Sequence, residues 1–165
     1  MRTQVARRTF TAEEYHRMVT AGILAEDDRV ELIEGEIVRM SPIGSPHAAC
    51  VDRLNALFTR RLARRATVRV QSPIALDGRS EPQPDVTVLR PREDYYAPQH
   101  PGPADILLVI EVVDTSGEYD RGTKLPLYAR AGIREVWIVD VVHYTIEVYR
   151  RHALRTYRED RKSVV

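Results

Sequence analysis

The sequence predicts a single domain of the α/β class, and three observations support this prediction. The chain has 165 residues, which is enough for one sizeable hydrophobic core and too few for two well-buried ones. Hydrophobic residues make up 43% and charged residues 30% of the chain, which is typical of an ordinary folded domain. Segments with helical periodicity occur together with short β-branched runs, so both kinds of element are expected.

The N-terminal part is expected to contain one helix and one hairpin. In the segment FTAEEYHRMVTAG, Thr11 and Glu14 form a capping-box pattern, and Gly22 provides a C-terminal stop. The segment VELIEGEIVRM then predicts two short strands around a tight turn at Glu34 and Gly35.

A second helix is predicted to start at Ser45 and Pro46, because proline is tolerated in the first turn of a helix. Its apolar residues recur at intervals of three and four: Val51, Leu54, Leu57, Phe58 and Leu62. Basic residues fall mostly on the remaining face: Arg53, Arg60, Arg61, Arg64 and Arg65. Such a face would suit sequence-independent contacts with DNA phosphates, although a solvated helix face is the ordinary explanation of any single arginine.

The rest of the chain predicts a sheet and one more helix. From residue 67 the pattern changes to the short runs VRVQ, IAL and DVTVL, which predict strands. A proline-rich surface loop, 91–103, leads into ADILLVIEVV, an apolar run typical of a strand buried on both faces. A short third helix is predicted from Pro126 to Ala131, with Gly132 as its stop. The segments EVWIVD and YTIEVYR are the last predicted strands.

The composition excludes several classes of protein. The longest aliphatic run, at 106–110, is far shorter than the roughly 20 residues of a membrane-spanning helix. The segment MRTQVARRTF lacks the apolar stretch of a secretory signal, so a cytoplasmic protein is expected. Cys50 is the single cysteine, which excludes an internal disulfide and a cysteine-based zinc site. The net charge of +1 argues neither for nor against a nucleic-acid partner, but basic residues crowd the segment from 150 to 162.

Two acids and a lysine are candidate active-site residues. The histidines form no close pair at ligand spacing, so oxygen atoms would hold any metal, which favours magnesium or manganese. Glu111 interrupts a buried apolar run, where an ionised acid is costly unless a cation offsets its charge. Asp85, positioned by Pro84 at the start of another apolar run, could supply a second carboxylate from a neighbouring strand. Lys124 could orient an attacking water molecule or stabilise charge that develops on phosphate oxygens.

These residues also have ordinary structural explanations. A single acid in a strand is commonly an edge residue or half of an ion pair, and aspartate after proline is a common turn residue. The segment GEYDRGTK, 117–124, is close to a P-loop, but its threonine precedes the lysine and acids stand where backbone amides should meet phosphate. A nucleotide hydrolase is therefore the weaker hypothesis.

Two further polar residues are candidate neighbours of this site. His47, at the start of the second helix, could reach the metal or a phosphate, or it could cap the helix or pack locally. Gln71, at the end of a strand, could hydrogen-bond across the cleft or face water.

Three segments in order, QPDVTVL, PADILLVIEVV and KLPLYARAGIREVWIVD, resemble the Uma-two family of restriction endonucleases, a branch of the PD-(D/E)xK phosphodiesterases. The similarity runs from about Phe10 to Arg150 and includes RVELIEGEIVRMSPIGSPH. The resemblance implies a restriction-endonuclease-like core, with a mixed β-sheet flanked by helices. We expect one such domain over residues 1–165, with a core of about 10–150 and a basic C-terminal tail at 151–165.

The resemblance also implies a magnesium-dependent active site, with manganese as a substitute. By position, Asp85 and Glu111 are the two acids of the motif, and the main-chain carbonyl of Val112 is a further metal ligand. Glu31, in VELIEG, resembles an additional acid that lines the site in this family. The two acids of the motif are expected to converge on a shared cation within reach of Lys124.

The usual lysine of the motif, two residues after the second acid, is replaced by Val113, and the family's relocated-lysine arrangement suggests Lys124 for its role. The preferred function is an endonuclease that hydrolyses DNA phosphodiester bonds by a magnesium-activated water. Cutting both strands of a duplex is simplest for a symmetric homodimer. The rival hypothesis is a non-catalytic nucleic-acid-binding or assembly protein with a decayed nuclease site, which Val113 supports.

Overall fold

The computed structural model describes residues 7–25, 27–114, 117–153 and 156–164. Of residues 151–153, 156 and 160–164 it describes the backbone alone. The outermost residues of the predicted domain, 1–6 and 165, lie outside the described residues, as do most side chains of the predicted basic tail.

The predicted α/β class with a mixed sheet flanked by helices is confirmed. In the described part of the chain, six strands form one sheet in chain order: β3 (Thr67–Val70), β4 (Val86–Leu89), β5 (Ile106–Val113), β6 (Glu135–Asp140), β7 (Thr145–Ala153) and β8 (Thr156–Val164). The β5 and β6 strands are parallel, whereas the other neighbouring strands of this sheet are antiparallel. None of the helices within the described ranges has the length and apolar character needed to cross a membrane.

The first helix, α1 (Ala12–Thr20), begins where the capping-box pattern predicts. The Thr11 hydroxyl accepts the Glu14 backbone N–H at 3.1 Å, and the Glu14 carboxylate accepts the Thr11 backbone N–H at 3.0 Å. The buried residue of this helix is Tyr15, whose hydroxyl donates to the carbonyl of Val30 at 3.2 Å. This contact attaches the helix to the start of the first strand.

Strands β1 (Val30–Ile33) and β2 (Glu36–Arg39) form the predicted hairpin. The turn residues Glu34 and Gly35 have positive φ angles of 50° and 84°, as tight hairpin turns require. A Cβ atom at Gly35 would lie 2.6 Å from the Cβ of Thr9, so a larger residue would force a backbone shift.

The second helix, α2 (Ser45–Leu62), packs on one face of the sheet and is followed by a 3₁₀ turn (Ala63–Arg65). It contacts the sheet through Val51 together with four partly buried residues, Cys50, Leu54, Phe58 and Leu62. Leu57 was predicted to share this face, but it is 40% exposed. Successive helix residues are about 100° apart around the axis, so Leu57 lies beside the packed stripe that includes Phe58.

The predicted strand at 74–76 is wrong. Ile74 is fully buried, but its N–H donates to the carbonyl of Pro82, and the Ala75 N–H donates to the carbonyl of Pro101. The segment therefore bridges loops and does not join the sheet. A short apolar run predicts burial, whereas strand pairing also requires a neighbour in register.

The segment predicted as a basic tail contains the strand β8, which pairs antiparallel with β7. Tyr157 of this strand packs against the main core, and its hydroxyl donates to the carbonyl of Ile133 at 2.6 Å. Charged residues are common on edge strands, where they discourage pairing with other chains. The charged composition of this segment was therefore compatible with an edge strand as well as with a tail.

The third predicted helix is confirmed as the last part of a longer helical segment. This segment comprises one α-turn, α3 (Gly117–Tyr119), a π-helix (Asp120–Lys124) and α4 (Leu125–Ala131). It ends at Gly132, which has a left-handed φ of 83°. The sequence pattern predicted only the last of the three pieces, because π-helical turns are rare and have no strong sequence signature.

Asp140, the last residue of β6, stabilises the following turn through its carboxylate. One carboxylate oxygen accepts the backbone N–H groups of Val142 and His143, at 3.0 and 2.8 Å, and the other lies 3.0 Å from His143 Nδ1. Burial by itself raises the pKa of Asp140, but these contacts, first among them the His143 backbone N–H, lower it to about 2.

This arrangement predicts an acid-sensitive contribution to stability. The folded-state pKa of Asp140 lies below the ordinary value of 3.8, so its contribution is present above pH 4 and is lost as pH falls through about 2. We expect the difference in unfolding free energy between wild type and Asp140→Asn to shrink by about 2 kcal/mol between pH 7 and pH 2. Denaturant titrations of both proteins at the two pH values measure it, and a difference that stays constant contradicts the prediction.

Candidate active site

A polar cleft of about 390 Å³ opens where the hairpin, the start of α2, the end of β5 and the π-helix meet. Its charged lining includes five acids and one lysine: Glu31, Asp85, Glu111, Asp114, Asp120 and Lys124. The strand register explains why two of them are neighbours. Val86 of β4 is paired with Ile110 of β5, so the next antiparallel position places Asp85 opposite Glu111. Opposite residues of an antiparallel pair point to the same face of the sheet, and both acids line the cleft.

The Asp85 carboxylate is held by three neighbours. One oxygen accepts the Val112 backbone N–H at 2.9 Å and lies 3.1 Å from His47 Nε2. The other oxygen accepts the Gln71 side-chain amide at 3.3 Å. The N–H and C=O of one strand residue point to the same strand edge, so the carbonyl of Val112 also faces the Asp85 side. The structure thus brings His47, Gln71 and Val112, which were all predicted near the site, into contact around Asp85.

His47 lies in the first turn of α2, and its side chain is only 11% exposed. The hydrogen bond with Asp85 raises the pKa of the His47 imidazole, although burial opposes the charged form. The imidazole therefore adds a positive or hydrogen-bonding group beside this carboxylate.

Lys124 projects from the π-helix into a cluster of three acids. Its Nζ atom lies 3.1 Å from Glu31, 3.5 Å from Glu111 and 3.9 Å from Asp120, and all four side chains are at most 7% exposed. Burial lowers the pKa of Lys124, but attraction to the three carboxylates outweighs burial and raises it above its ordinary value. Lys124 is therefore a cation at neutral pH and acts as a hydrogen-bond donor.

Glu111 is the most deeply placed of these acids. Burial raises the pKa of Glu111 to about 8, against the attraction of Lys124. The Tyr128 hydroxyl donates to the same Glu111 oxygen at 2.5 Å. Three carboxylates share one ammonium group in this cluster, so a further cation nearby would favour the ionised form of Glu111.

The donor chemistry of the cleft fits a hard divalent cation. The carboxylates of Asp85 and Glu111 and the carbonyl of Val112 are oxygen donors of the kind that magnesium and manganese prefer. Within the described ranges, however, no three Asp, Glu, His or Cys side chains are already gathered around one point as metal ligands. Lys124 and Tyr128 contact the same oxygen of Glu111, and His47 contacts one oxygen of Asp85, so each carboxylate is held by neighbours through that oxygen.

The arginines predicted to contact DNA are exposed and lie outside the cleft lining, with Arg53 and Arg60 on α2 and Arg64 in the 3₁₀ turn that follows it. Arg53 is closest in sequence to His47. At 1.5 Å per residue, Arg60 lies about 20 Å along the helix axis from His47, and Arg64 lies beyond the end of α2. Their role in DNA binding stays a prediction.

Sequence reasoning missed two arginines at the cleft. Arg29 and Arg39 are exposed residues of its lining and flank the hairpin that carries Glu31. Their position at the two ends of this hairpin was the available signal, because the paired ends of a hairpin lie side by side.

Three residues of the helical segment were also missed. Asp120 and Tyr128 lie four residues before and after Lys124, a spacing that places side chains on one helix face. Tyr119 lines the cleft as well. The helical spacing could have identified the first two, but the start of this helix was placed too late in the chain.

Comparisons with known proteins agree with this architecture. Residues 12–164 match the family model described as "Uma2: Putative restriction endonuclease". A solved structure described as "a putative nuclease belonging to DUF820 from Anabaena variabilis ATCC 29413" matches 92% of this chain and 85% of its own, with a TM-score of 0.67 and 16% identity. At that identity the likeness shows a shared fold. No curated protein matches the chain.

Proposed function

We propose that this chain, which belongs to the Uma2 family of restriction endonucleases, hydrolyses phosphodiester bonds in DNA with the aid of a bound divalent cation. The proposal rests on one observation. Asp85, Glu111 and Lys124 come from three separate segments of the chain, and all three line one cleft. The description of the structural neighbour as a nuclease supports the same reaction class.

Asp85, Glu111 and the carbonyl of Val112 are the residues that would hold the cation, with magnesium as the first choice and manganese as a substitute. Bound there, the cation would supply positive charge for the phosphate and make a water molecule more acidic. His47 and Gln71 keep the Asp85 carboxylate oriented, and Tyr128 does the same for Glu111.

In the reaction, a water oxygen forms a bond to phosphorus and gives up a proton to the solvent. The bond from phosphorus to the leaving sugar oxygen breaks, and that oxygen takes up a proton. Negative charge grows on the phosphate oxygens and on the leaving oxygen as this happens. The ammonium group of Lys124 would donate hydrogen bonds to the oxygens that carry this charge, which lowers the barrier. Glu31, at 3.1 Å from Lys124 Nζ, holds the ammonium group in the cleft.

The proposed substrate is double-stranded DNA. The exposed residues Arg29 and Arg39 at the cleft could bind its phosphates, and the arginines of α2 would extend that contact away from the cleft. A symmetric homodimer would present two clefts, one for each strand of the duplex.

The decisive experiment combines cleavage with metal binding. We expect the wild type to nick supercoiled plasmid with magnesium or manganese and to stop when EDTA is added. Calorimetric titration with manganese should show binding that weakens at least about 10-fold in Glu111→Gln, because the variant loses one charged oxygen ligand. Glu34→Gln is the matched control, since Glu34 is exposed and pairs with Arg130 on the surface.

Two results would contradict the proposal. Manganese binding that is unchanged in Glu111→Gln would show that the cation is held elsewhere. A wild type that binds manganese and DNA but leaves the plasmid intact would favour the non-catalytic DNA-binding protein.

A further inference from the structure

One buried hydroxyl of the cleft has no partner within the protein. Among the residues that the structure describes, three buried side-chain polar atoms make no hydrogen bond: Nδ1 of His47, Oγ1 of Thr87 and the hydroxyl of Tyr119. Tyr119 lines the cleft, and the charges of Glu31, Lys124 and Asp120 act on its hydroxyl. A buried polar atom without a partner destabilises the folded protein, so its presence calls for an explanation outside the protein's own hydrogen bonds.

The Tyr119 hydroxyl has a proton to donate and no acceptor among the described residues, and because its oxygen is buried, the cleft must open around it when a substrate oxygen binds. Burial, with the negative charge of Glu31 next, raises the pKa of Tyr119 to about 12, so the hydroxyl keeps its proton at neutral pH. Lys124 and His47, the donors deepest in the cleft, are already engaged, because Lys124 is surrounded by three acids and His47 Nε2 lies against Asp85.

The same helical segment positions Tyr119 and Lys124. Tyr119 ends α3, the π-helix follows at once, and Lys124 is the last residue of that π-helix. Both side chains line the cleft. The charge of Lys124 also acts on the Tyr119 hydroxyl, so the two groups border the same part of the cleft.

We propose that the Tyr119 hydroxyl donates a hydrogen bond to a nonbridging oxygen of the scissile phosphate, which makes Tyr119 a substrate-contacting residue. The inference rests on the proposed nuclease function and extends it to a residue outside the acid and lysine motif. An anionic phosphate oxygen is the acceptor that suits an unpaired neutral donor best, because hydrogen bonds to charged groups are the strong ones.

The first test separates this role from a structural one. Tyr119→Phe removes only the hydroxyl, and we expect it to lower kcat/KM for duplex DNA about 10- to 100-fold, as loss of a hydrogen bond to a charged group does. The thermal unfolding midpoint of Tyr119→Phe should be unchanged or higher, because no protein hydrogen bond is lost. Tyr96→Phe is the matched control, since the Tyr96 hydroxyl donates to the carbonyl of Arg90 at 2.6 Å and lies outside the cleft. It should lower the midpoint and leave cleavage unchanged.

The second test identifies the acceptor. Duplexes carrying one phosphorothioate, as separate Rp and Sp diastereomers, replace either nonbridging oxygen by sulfur, a poor hydrogen-bond acceptor. On one of the two diastereomers, the ratio of the wild-type rate to the Tyr119→Phe rate should be at least about 10-fold smaller than on the all-oxygen duplex. On that diastereomer the wild type already lacks the hydrogen bond, so removal of the hydroxyl has little further effect.

The outcomes distinguish this inference from the proposed function. Wild-type cleavage rates in Tyr119→Phe, or an equal loss on both diastereomers and on the oxygen substrate, overturn the inference and leave the nuclease function standing. A lower unfolding midpoint in Tyr119→Phe would also overturn it, by revealing a structural partner for the hydroxyl. A wild type that cleaves no DNA with either cation overturns both proposals.

Discussion

Lys124→Met is expected to lower the free energy of unfolding by about 3 to 5 kcal/mol when divalent cations are absent. Methionine keeps most of the side-chain length but leaves Glu31, Glu111 and Asp120 buried without their shared ammonium group. Removal of one partner from a buried ion pair costs far more than removal of an exposed pair, because the remaining charges stay desolvated. Urea denaturation of wild type and variant in EDTA measures this difference.

Added cations should restore part of the stability lost in Lys124→Met. Magnesium or manganese would take over charge compensation for Glu111, and a ligand at 100 times its dissociation constant adds about 2.7 kcal/mol to the stability of the folded state. Arg130→Met is the control, because Arg130 and Glu34 form an exposed pair with side chains 46% and 59% accessible. It should cost less than about 1 kcal/mol and show no added response to cations. Equal losses of unfolding free energy in Lys124→Met and Arg130→Met would contradict the conclusion that Lys124 compensates a buried cluster of acids.

Asp85→Asn is expected to lower the rate of DNA cleavage at least about 100-fold while the protein stays folded. The amide oxygen of asparagine can still accept the Val112 N–H, so the local geometry should survive. Asparagine lacks the negative charge that attracts a divalent cation, and loss of this charge weakens metal binding directly. Plasmid nicking rates at saturating magnesium and manganese measure the effect.

Asp77→Asn is the matched control for Asp85→Asn. Asp77 is an exposed turn residue that accepts the Arg79 backbone N–H, and it lies outside the cleft lining. Its variant should cut DNA at the wild-type rate. If Asp85→Asn also cuts at that rate, Asp85 has no part in the reaction. If it fails to cut but binds manganese normally, its role lies in substrate positioning.

Elements with signals in adjacent residues were predictable from the sequence. The capping box of Thr11 and Glu14, the turn at Glu34 and Gly35, and the stop at Gly132 all follow from local geometry. The predicted strand at 74–76 is wrong, and the predicted tail contains the strand β8, because pairing depends on which distant segment lies alongside. Composition does not contain that information.

The candidate site also contains some residues that the sequence could identify and others that it could not. Asp85 and Glu111 could be singled out in the sequence, since one follows Pro84 into a strand and the other interrupts an apolar run. Their roles as metal ligands stay a prediction. Asp120 and Tyr128 carry a signal in their four-residue spacing from Lys124, but it applies only if the helix is known to start before Lys124. The unpaired hydroxyl of Tyr119 could not be singled out, because the π-helix that orients this segment had no recognisable signal.

The sequence by itself determined the fold class, the helix and hairpin boundaries set by caps and turns, and the two unusual acids, one just before an apolar strand and one within another. The tertiary structure alone decided that Lys124, thirteen residues beyond Glu111, reaches back to it and to Glu31 on the hairpin. The physical reason is the range of the interactions. Caps and turns depend on residues a few positions apart, whereas the charge balance of a buried cluster depends on which segments the sheet register and helix packing bring together.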